Sequence, residues 1–372
     1  MSVQLLRNTR VFLSTVKTGH APANTFEIQV GDDLSFSQST SSSSIEVNEA
    51  GASPQRGSAT FNDSLDPAEW SFSTYLRSYE DEESTPNKFV PDALLWHALA
   101  SGSAFDKTTV AGLSANPTNT LVKFTDNGHH ELTKLQIYLL VDNLWYHIQD
   151  GQVGSASISN EITDIGMTAW SGQGTLLTKL AVAPFIVATD ATLVDCSSTA
   201  SYIRNKLTIL RLKDNSNDKE YTVPLTGGSV EFNNNITYLT PNTLSCLDVP
   251  IGSFTGAFSV SGNVTAYLSS ASAGTADLLG DLLADRAVTN SFEIALIMGG
   301  VSAVAAPAVV IVLPTAQLGI PNISSADVIG TEISFTGVGT DFGTGDEVFI
   351  GMSNEYTTIQ VDKLIVDGDG AP

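Results

Sequence analysis

The chain is short of the residues from which most catalytic, redox and metal sites are built. It has 2 cysteines, 5 histidines and 4 methionines among 372 residues. Two cysteines in so long a chain are no disulfide framework, and Cys196 and Cys246 stand outside any metal-ligand spacing. No G-x-S-x-G, P-loop, H-E-x-x-H or C-x-x-C motif occurs. We therefore expect no enzyme, no cofactor and no metal site.

Positive charge is scarce as well. The chain has 17 lysines and arginines against 40 aspartates and glutamates, a net charge of −23 and a pI of about 4.3. Neutralising phosphates requires clustered cations, so the composition argues against a nucleic-acid binder while allowing a surface that repels nucleic acid. The 42% hydrophobic content is that of a folded chain, and the length predicts two domains.

One uncharged run, residues 294–314, is long enough to span a membrane. Gly299, Gly300 and Pro307 interrupt it, and the β-branched residues 309–313 are typical of a buried strand, so we predict no membrane span. The N-terminus shows no apolar run of signal-peptide length, and cytoplasmic synthesis is expected.

What the chain does contain is an internal repeat. Residues 152–174 align without a gap to residues 317–339. The identical pairs are Gln152/Gln317, Gly154/Gly319, Ile158/Ile323, Ser159/Ser324, Gly172/Gly337 and Gly174/Gly339. Earlier matches follow in the same order along both halves, namely Phe36/Phe232, Tyr75/Tyr267 and Leu94/Leu278. Because a repeat of this length decides the fold, we predict two homologous units.

The pattern of apolar residues predicts the same elements in each half. In the first half these are a strand at 7–13, a polar loop at 38–57, strands at 58–63 and 69–76, a helix at 91–100, a hairpin at 135–148 and a strand–turn–strand at 152–174. In the second half they are a strand at 204–210, a loop at 233–252, a strand at 258–268, a helix at 275–284, a hairpin at 292–313, the repeat at 317–339, and strands near 347–352 and 356–366.

The predicted fold is mostly β, with two sandwich or barrel domains in tandem and one short helix in each. The boundaries are a first domain at 1–178, a connecting segment at 179–203 and a second domain at 204–372. Residues 77–90 and 102–131, extra in the first half, are predicted surface loops.

Three possible sites have simpler explanations. His129 and His130 are typical of a polar loop, and His97 of a packing residue on the first helix. The acidic run 214–220 lacks the glycine and the final acid of a calcium loop, so a hairpin turn is predicted there.

With the elements placed, the sequence resembles the tail tube proteins of long-tailed bacteriophages. The resemblance rests on LLRNTRVFLST at the N-terminus, on residues 48–77, and on the helix and hairpin that follow. It covers residues 1–174, and residues 204–366 more loosely. The chain departs from the common pattern by holding two domains, and is similar to a duplicated variety in which three chains form a ring of six domains.

The resemblance implies a structural protein of the virion tail, made in the host cytoplasm. Its homotrimeric rings would stack into a tube whose inner strands close between subunits into a β-barrel channel for genome DNA during ejection. A surplus of carboxylates would let DNA slide without tight binding. The implied partners are other copies, the tape measure, baseplate and terminator proteins and, in contractile tails, the sheath.

The resemblance also implies two kinds of functional residue. The carboxylates near the strand pairs are candidates for the channel wall, and an outer solvated face is the alternative for each: Asp33, Glu46, Asp63, Glu69 and Glu231. The loops 38–57 and 233–252 would contact the neighbouring ring, with the candidates Ser39, Ser42, Glu46, Glu49, Asn234, Tyr238 and Asn242. A smooth polar wall would include Ser71, Ser73, Ser259, Ser261 and Asn263.

Two other classes of protein stay open at this point. One is a baseplate, fibre or capsid-decorating protein made of duplicated β-domains, although the low-complexity stalk repeats usual in fibres are absent. The other is a secreted carbohydrate-binding or hydrolytic β-protein. Against it, Trp70, Trp96, Trp145 and Trp170 lie in strand and helix patterns typical of a core.

Overall fold

The computed structural model describes most of the chain. The described residues are 8–45, 59–78, 80–81, 88–90, 92–105, 120–124, 131–162, 164–194, 202–241, 248–284, 290–299, 306–324, 330–340 and 345–356. They form a mostly β protein, which confirms the predicted fold class. No helix among them is long and apolar enough to cross a membrane. Of the uncharged run 294–314, residues 294–298 and 306–314 lie in two strands.

The strands run through both halves of the chain. In the first half they are β1 (Thr9–Ser14), β2 (Thr25–Ile28), β3 (Ser35–Ser37), β4 (Thr40–Ile45), β5 (Ala59–Leu65), β6 (Ala68–Tyr75), β7 (Glu80–Asp81), β8 (Lys88–Phe89), β9 (Thr120–Lys123), β10 (Leu135–Val141), β11 (Leu144–Ser159), β12 (Met167–Gly174) and β13 (Leu176–Leu180). In the second half they are β14 (Ile209–Asp214), β15 (Glu220–Tyr221), β16 (Leu225–Asn233), β17 (Thr237–Leu239), β18 (Gly252–Phe254), β19 (Ser259–Tyr267), β20 (Phe292–Met298), β21 (Ala306–Leu318), β22 (Asn322–Ser324), β23 (Gly330–Gly337) and β24 (Phe349–Tyr356).

The described helices are short: α1 (Ala93–Ala100), α2 (Val187–Asp190) and α3 (Thr275–Ala284), with a 3₁₀ turn at Asn205–Leu207. Helices α1 and α3 fall where the apolar stripes predicted them, one in each half. The 3₁₀ turn corrects the prediction of a strand over 204–210, since regular pairing begins only at Ile209.

Each half has an outer antiparallel sheet of the same design. In the first half the order is β2-β1-β10-β11-β13, and in the second it is β15-β14-β20-β21-β24. The acidic run between β14 and β15 is the predicted hairpin turn, in which the Asp214 carboxylate accepts hydrogen bonds from the backbone and hydroxyl of Ser216.

A second, inner sheet runs through both halves without interruption. Its order is β3-β6-β12-β11-β16-β19-β23, and the end of β21 together with β22 pairs beyond β23. Strand β11 belongs to both sheets, because it pairs with β13 near Trp145 and with β16 from Ser155 onward, with a bulge between Val153 and Ser155. Strand β21 does the same in the second half.

The main core lies between the two sheets. Trp96 of α1 is fully buried and packs edge-to-face on Trp170 of β12 and Phe232 of β16, with ring centroids 4.7 and 5.5 Å apart. Trp70 is buried beside Phe72, and Trp145 in a second cluster on the outer sheet. The four tryptophans are therefore core residues, as predicted.

The insertion at 102–131 is not only the surface loop that was predicted. Its residues Thr120–Lys123 form β9, which adds to the edge strand β24 of the second half. Val122 and Phe124 are buried, and the Phe124 ring stacks on Phe258 at 4.4 Å. The prediction of a surface loop is therefore wrong for these residues. The burial of Val122 and Phe124 stabilises β9, although the local sequence pattern does not indicate a strand there.

The serine-rich stretch is likewise more regular than the predicted loop. Thr40–Ile45 pairs along its whole length with Ala59–Leu65, so β4 and β5 form a two-stranded arm. The predicted connecting segment also contains structure, since β13 extends to Leu180 and Thr192 bridges to Phe26 of β2. The division of the chain at 178 and 204 stays a proposal.

Candidate functional site

The inner sheet has one buried and one polar face. Strand β6 shows the alternation, with Trp70 and Phe72 buried, while Glu69, Ser71 and Ser73 point the other way. Cross-strand register places the following side chains on the polar face: Asp33, Ser35, Ser37, Glu69, Ser71, Ser73, Tyr75, Ser155, Ser157, Ser159, Met167, Ala169, Ser171, Gln173, Ser229, Glu231, Asn233, Ser259, Ser261, Asn263, Thr265, Glu332, Ser334 and Thr336.

Charge on this polar face has one sign. None of the described positions just named is a lysine, arginine or histidine, and the charged ones are Asp33, Glu69, Glu231 and Glu332. Small hydroxyl and amide side chains fill the space between them. The face can therefore hold water and cations, but it offers no cation to a phosphate.

Three of the five predicted carboxylates lie on this face. Asp33 accepts hydrogen bonds from the backbone and hydroxyl of Ser73, at 3.0 and 2.8 Å. Glu69 lies opposite Gln173, and Glu231 lies between Ser157 and Ser261. Ser73 and Ser261 belong to the predicted polar wall, and Ser157 is a further serine on the same face.

A fourth carboxylate on the face was missed by the sequence reasoning. Glu332 lies opposite Thr265 and accepts a hydrogen bond from Asn263 at 2.9 Å. Its alternation with the buried residues Thr331 and Ile333 was the available signal.

The remaining predicted carboxylates lie elsewhere. Asp63 is on the arm formed by β4 and β5, where it accepts a hydrogen bond from the Ser43 hydroxyl at 2.5 Å. It is adjacent to Asp248 of the second half, whose backbone N–H contacts the Asp63 carbonyl. Glu46 lies outside the described residues. Asp63 therefore belongs with the arms rather than with the polar face.

Two arms project from the same end of the inner sheet. The first arm, β4 with β5, follows Ser37 at the end of β3, and the second arm, β17 with β18, follows Asn233 at the end of β16, a strand that runs parallel to β3. They touch through a backbone hydrogen bond from Leu65 to Asp248 of 2.8 Å. Both expose large apolar side chains to solvent: Ile45, Phe61, Leu239, Ile251 and Phe254.

The predicted contact residues are distributed unevenly over these arms. Ser42 is exposed on β4, and Ser39 bonds the Asp66 carboxylate at the arm's base. The Tyr238 hydroxyl donates to the carbonyls of Asp150 and Gln173, at 2.9 and 2.7 Å. Its pKa is raised, first by burial and then by the Asp150 charge. Tyr238 thus anchors the second arm to the first half.

Asn234, which lies between β16 and the second arm, attaches the base of this arm to the first half through buried hydrogen bonds. It is buried, and its amide donates to the carbonyls of Leu99 and Val153, at 2.8 and 3.2 Å. Glu49 and Asn242 lie outside the described residues.

The inner sheet ends in two strands that lack a second neighbour in the part of the chain that the structure describes. At one end is β3, paired only to β6. At the other end is the segment 317–324, which contains the end of β21 and β22 and pairs only to β23 there. Ile320 and Ile323 are exposed at this edge, at 65% and 47%. Unpaired edges of this kind favour pairing with another chain.

No group of three or more His, Cys, Asp or Glu side chains within the described ranges is placed to hold a metal ion. The depressions on the polar face are open and lined by hydroxyls; one of about 520 Å³ lies between Ser35, Ser71, Ser171 and Asn233. Gly154 and Gly172 also line it.

Comparison with known proteins gives one decisive relationship. No family model matches the chain. The chain is 48% identical over 375 residues to "Tail tube protein pb6" of Escherichia phage T5, an alignment that covers 100% of this chain and 80% of the relative.

The chain belongs to the phage tail tube protein family. Its role is therefore structural and not enzymatic, and its place is the tail of the virion. The resemblance given by the sequence pattern is confirmed, and the open alternatives of a carbohydrate-binding protein and of another virion part give way to it.

Proposed function

We propose that three copies of this chain close into a ring around an acidic channel, and that such rings stack into the tube through which genome DNA passes. The observation that carries the proposal is the pairing of β11 with β16, which joins the two halves inside one chain. Because the halves are copies, the same pairing can join the second half of one chain to the first half of the next.

The internal pairing supplies a register for the junction between chains. Inside the chain, Ser155 faces Asn233 and Ser157 faces Glu231. The match of Gln152 with Gln317 makes the edge segment 317–324 the counterpart of 152–159, and the match of Phe36 with Phe232 makes 33–37 the counterpart of 229–233. The same register can therefore be applied to the two free edges. Ile320 then faces Ser37 of the next chain, Asn322 faces Ser35, and Ser324 faces Asp33.

The junction would satisfy both free edges. Every described inner strand would then have two neighbours, so that no open edge would be left to aggregate. A closed ring also agrees with the preference of homo-oligomers for closed symmetry.

The size of the closed sheet suits a channel. Each half supplies four inner strands, so three chains would supply about 24 strands at about 4.8 Å spacing. Their circumference is about 115 Å, which gives a backbone diameter of about 37 Å, and about 48 Å at a strand tilt of about 40°. Such a bore admits a DNA duplex with water around it.

The polar face would form the channel wall. Its carboxylates, Asp33, Glu69, Glu231 and Glu332, would repeat around the ring without any described lysine or arginine beside them on that face. A protein binds DNA tightly when its lysines and arginines neutralise phosphates and release the counterions bound to them. The described residues of this wall include no lysine or arginine. DNA would therefore slide rather than adhere.

The arms would make the contacts between rings. Both project from the same end of the inner sheet and expose apolar side chains, Phe61 and Ile251 among them at 57% and 70%. Burying such residues against the next ring is favourable at about 25 cal/mol per Å². The tape measure, baseplate and terminator proteins remain the proposed further partners.

The ring junction can be tested with paired cysteines. Cys196 and Cys246 are first replaced by serine, and Ile320→Cys and Ser37→Cys are then combined. The two positions lie at opposite edges of one chain, so a disulfide between them must join two chains. We expect oxidation to give a covalent product that stops at three chains, together with hollow rings or rods in electron micrographs.

The control combines Ile320→Cys with Ser43→Cys, which is exposed on the first arm. It should give no three-chain product. Open ladders beyond three chains, or equal cross-linking of both pairs, would overturn the proposed closure.

A further inference from the structure

Helices α1 and α3 are copies of each other, but they are covered to different degrees. All eight residues of α1 are buried, whereas in α3 the buried residues are Thr275, Leu278 and Leu282. The match of Leu94 with Leu278 aligns the helices without a gap. Leu95, Trp96 and Leu99 of α1 then correspond to Leu279, Gly280 and Leu283 of α3.

The face of α1 in question is covered by the other half of the same chain. The Trp96 ring packs on Phe232 of β16, and the Leu99 carbonyl accepts the hydrogen bond from Asn234. Together with the packing of Trp96 on Trp170 of β12, these contacts leave Trp96 0% exposed and Leu99 1% exposed.

The corresponding face of α3 is open. Leu283 is 58% exposed, and a Cβ added at Gly280 would meet no atom within 4 Å. The opposite side of the helix is already occupied, because Asp281 binds Lys219 and accepts a hydrogen bond from the Tyr221 hydroxyl at 2.8 Å. The stripe formed by Leu279, Gly280 and Leu283 is here called the open stripe: Leu279 is half-buried, and Gly280 and Leu283 are exposed.

The chain has little sequence with which to cover this stripe itself. In the first half, residues 101–134 follow α1 and include β9. In the second half only residues 285–291 separate α3 from β20. The long connection that helps to enclose α1 thus has no counterpart after α3.

We infer that the open stripe of α3 docks on strand β3 of the next chain in the ring, as α1 docks on β16 inside the chain. The inference rests on the proposed ring and adds a second layer to its junction. The partner is a second copy of this chain, whose Phe36 corresponds to Phe232 and stands at the free edge of its inner sheet.

The interface would have two layers. The inner layer is the strand pairing of 320–324 with β3, and the outer layer is apolar contact between Leu283 and Phe36 of the next chain. Gly280 leaves room where the first half has the Trp96 side chain, so the neighbouring chain can approach the helix closely.

The test uses arginine on the open stripe. Gly280→Arg and Leu283→Arg should fold, because neither site has close packing inside the chain. Either change would bury an unpaired charge in the junction, and we expect ring assembly to fall at least ~10-fold. Circular dichroism and thermal midpoints check the fold, and electron microscopy counts the rings.

Two matched controls separate this effect from a general one. Gly280→Ala keeps the stripe small and should assemble as the wild type does. Val182→Arg places the same charge on another apolar site, which is 76% exposed and follows β13 in the first half, and should also assemble. If the arginine variants of α3 form rings at the wild-type level, the docking of α3 is refuted while the tube proposal stands. If Val182→Arg fails equally, the loss is not specific to the stripe and the inference also fails. If the wild-type chain forms no ring, the proposed function itself fails.

Discussion

A buried carboxyl behind the inner sheet makes the stability of the fold depend on pH. Asp92 precedes α1, is 4% exposed, and accepts a hydrogen bond from the Thr74 hydroxyl at 2.9 Å. The same hydroxyl accepts a hydrogen bond from the Trp170 indole at 2.9 Å. Burial raises the pKa of Asp92 to about 7, against the opposing effects of the Thr74 hydrogen bond and the Arg77 charge.

The sign and size of the effect follow from this pKa. The folded chain holds the proton up to about pH 7, whereas the unfolded chain loses it near 3.8. The contribution of Asp92 to the free energy of unfolding is therefore fully present below pH 4 and is lost as pH rises through 7, by about 4 kcal/mol in all. About half of that loss, roughly 2 kcal/mol, lies between pH 5.5 and 8.5.

The perturbation is Asp92→Asn, which keeps an oxygen to accept the Thr74 hydroxyl and removes the titration. Urea unfolding of the unassembled chain is measured for both proteins from pH 5.5 to 8.5, away from the pI of about 4.3. All other groups titrate alike in both proteins and cancel in the difference. We expect the variant to gain about 2 kcal/mol relative to the wild type across this range. A difference that is constant, or that shrinks with rising pH, would refute the reasoning.

Two further predictions concern single side chains. Gly172→Ala would drive a Cβ into the Gln152 carbonyl oxygen and the Trp70 ring. We therefore expect the free energy of unfolding in urea to fall by about 2–4 kcal/mol. Gly252→Ala is the control, because open space surrounds that position, and it should change the free energy of unfolding by less than about 0.5 kcal/mol. Burial, followed by the Lys17 charge, lowers the pKa of His147 to about 4, so its imidazole should be neutral at pH 6. Its NMR resonances should therefore not shift between pH 5.5 and 8. A titration midpoint near 6.5 would contradict the structure.

Local patterns in the sequence predicted what depends on local periodicity. Helix α3 begins and ends at the predicted residues 275 and 284, because its leucine stripe is regular and Thr275 marks its start. The alternation in β6 and β19 likewise predicted the polar face, on which three of the five candidate carboxylates lie.

Pairings between distant segments were not visible in this way. Strand β9 pairs with β24 more than two hundred residues later, and no periodicity within Thr120–Lys123 indicates that partner. The sequence predicts a loop at Thr40–Ile45 because the strand there is fully exposed, so that no apolar side chain marks an inward face. What stabilises it is backbone pairing to β5, which every residue type except proline can make.

The differences between the two halves explain why a duplicated chain would form a ring of three rather than a ring of six separate units. The junction inside the chain has the β11–β16 pairing, the buried helix α1 and the added strand β9. The proposed junction between chains has the strand pairing and the open stripe of α3, but no segment equivalent to β9 among the described residues. The junction inside the chain can therefore form when the chain folds. The proposed junction between chains has fewer contacts and forms only when the next chain binds.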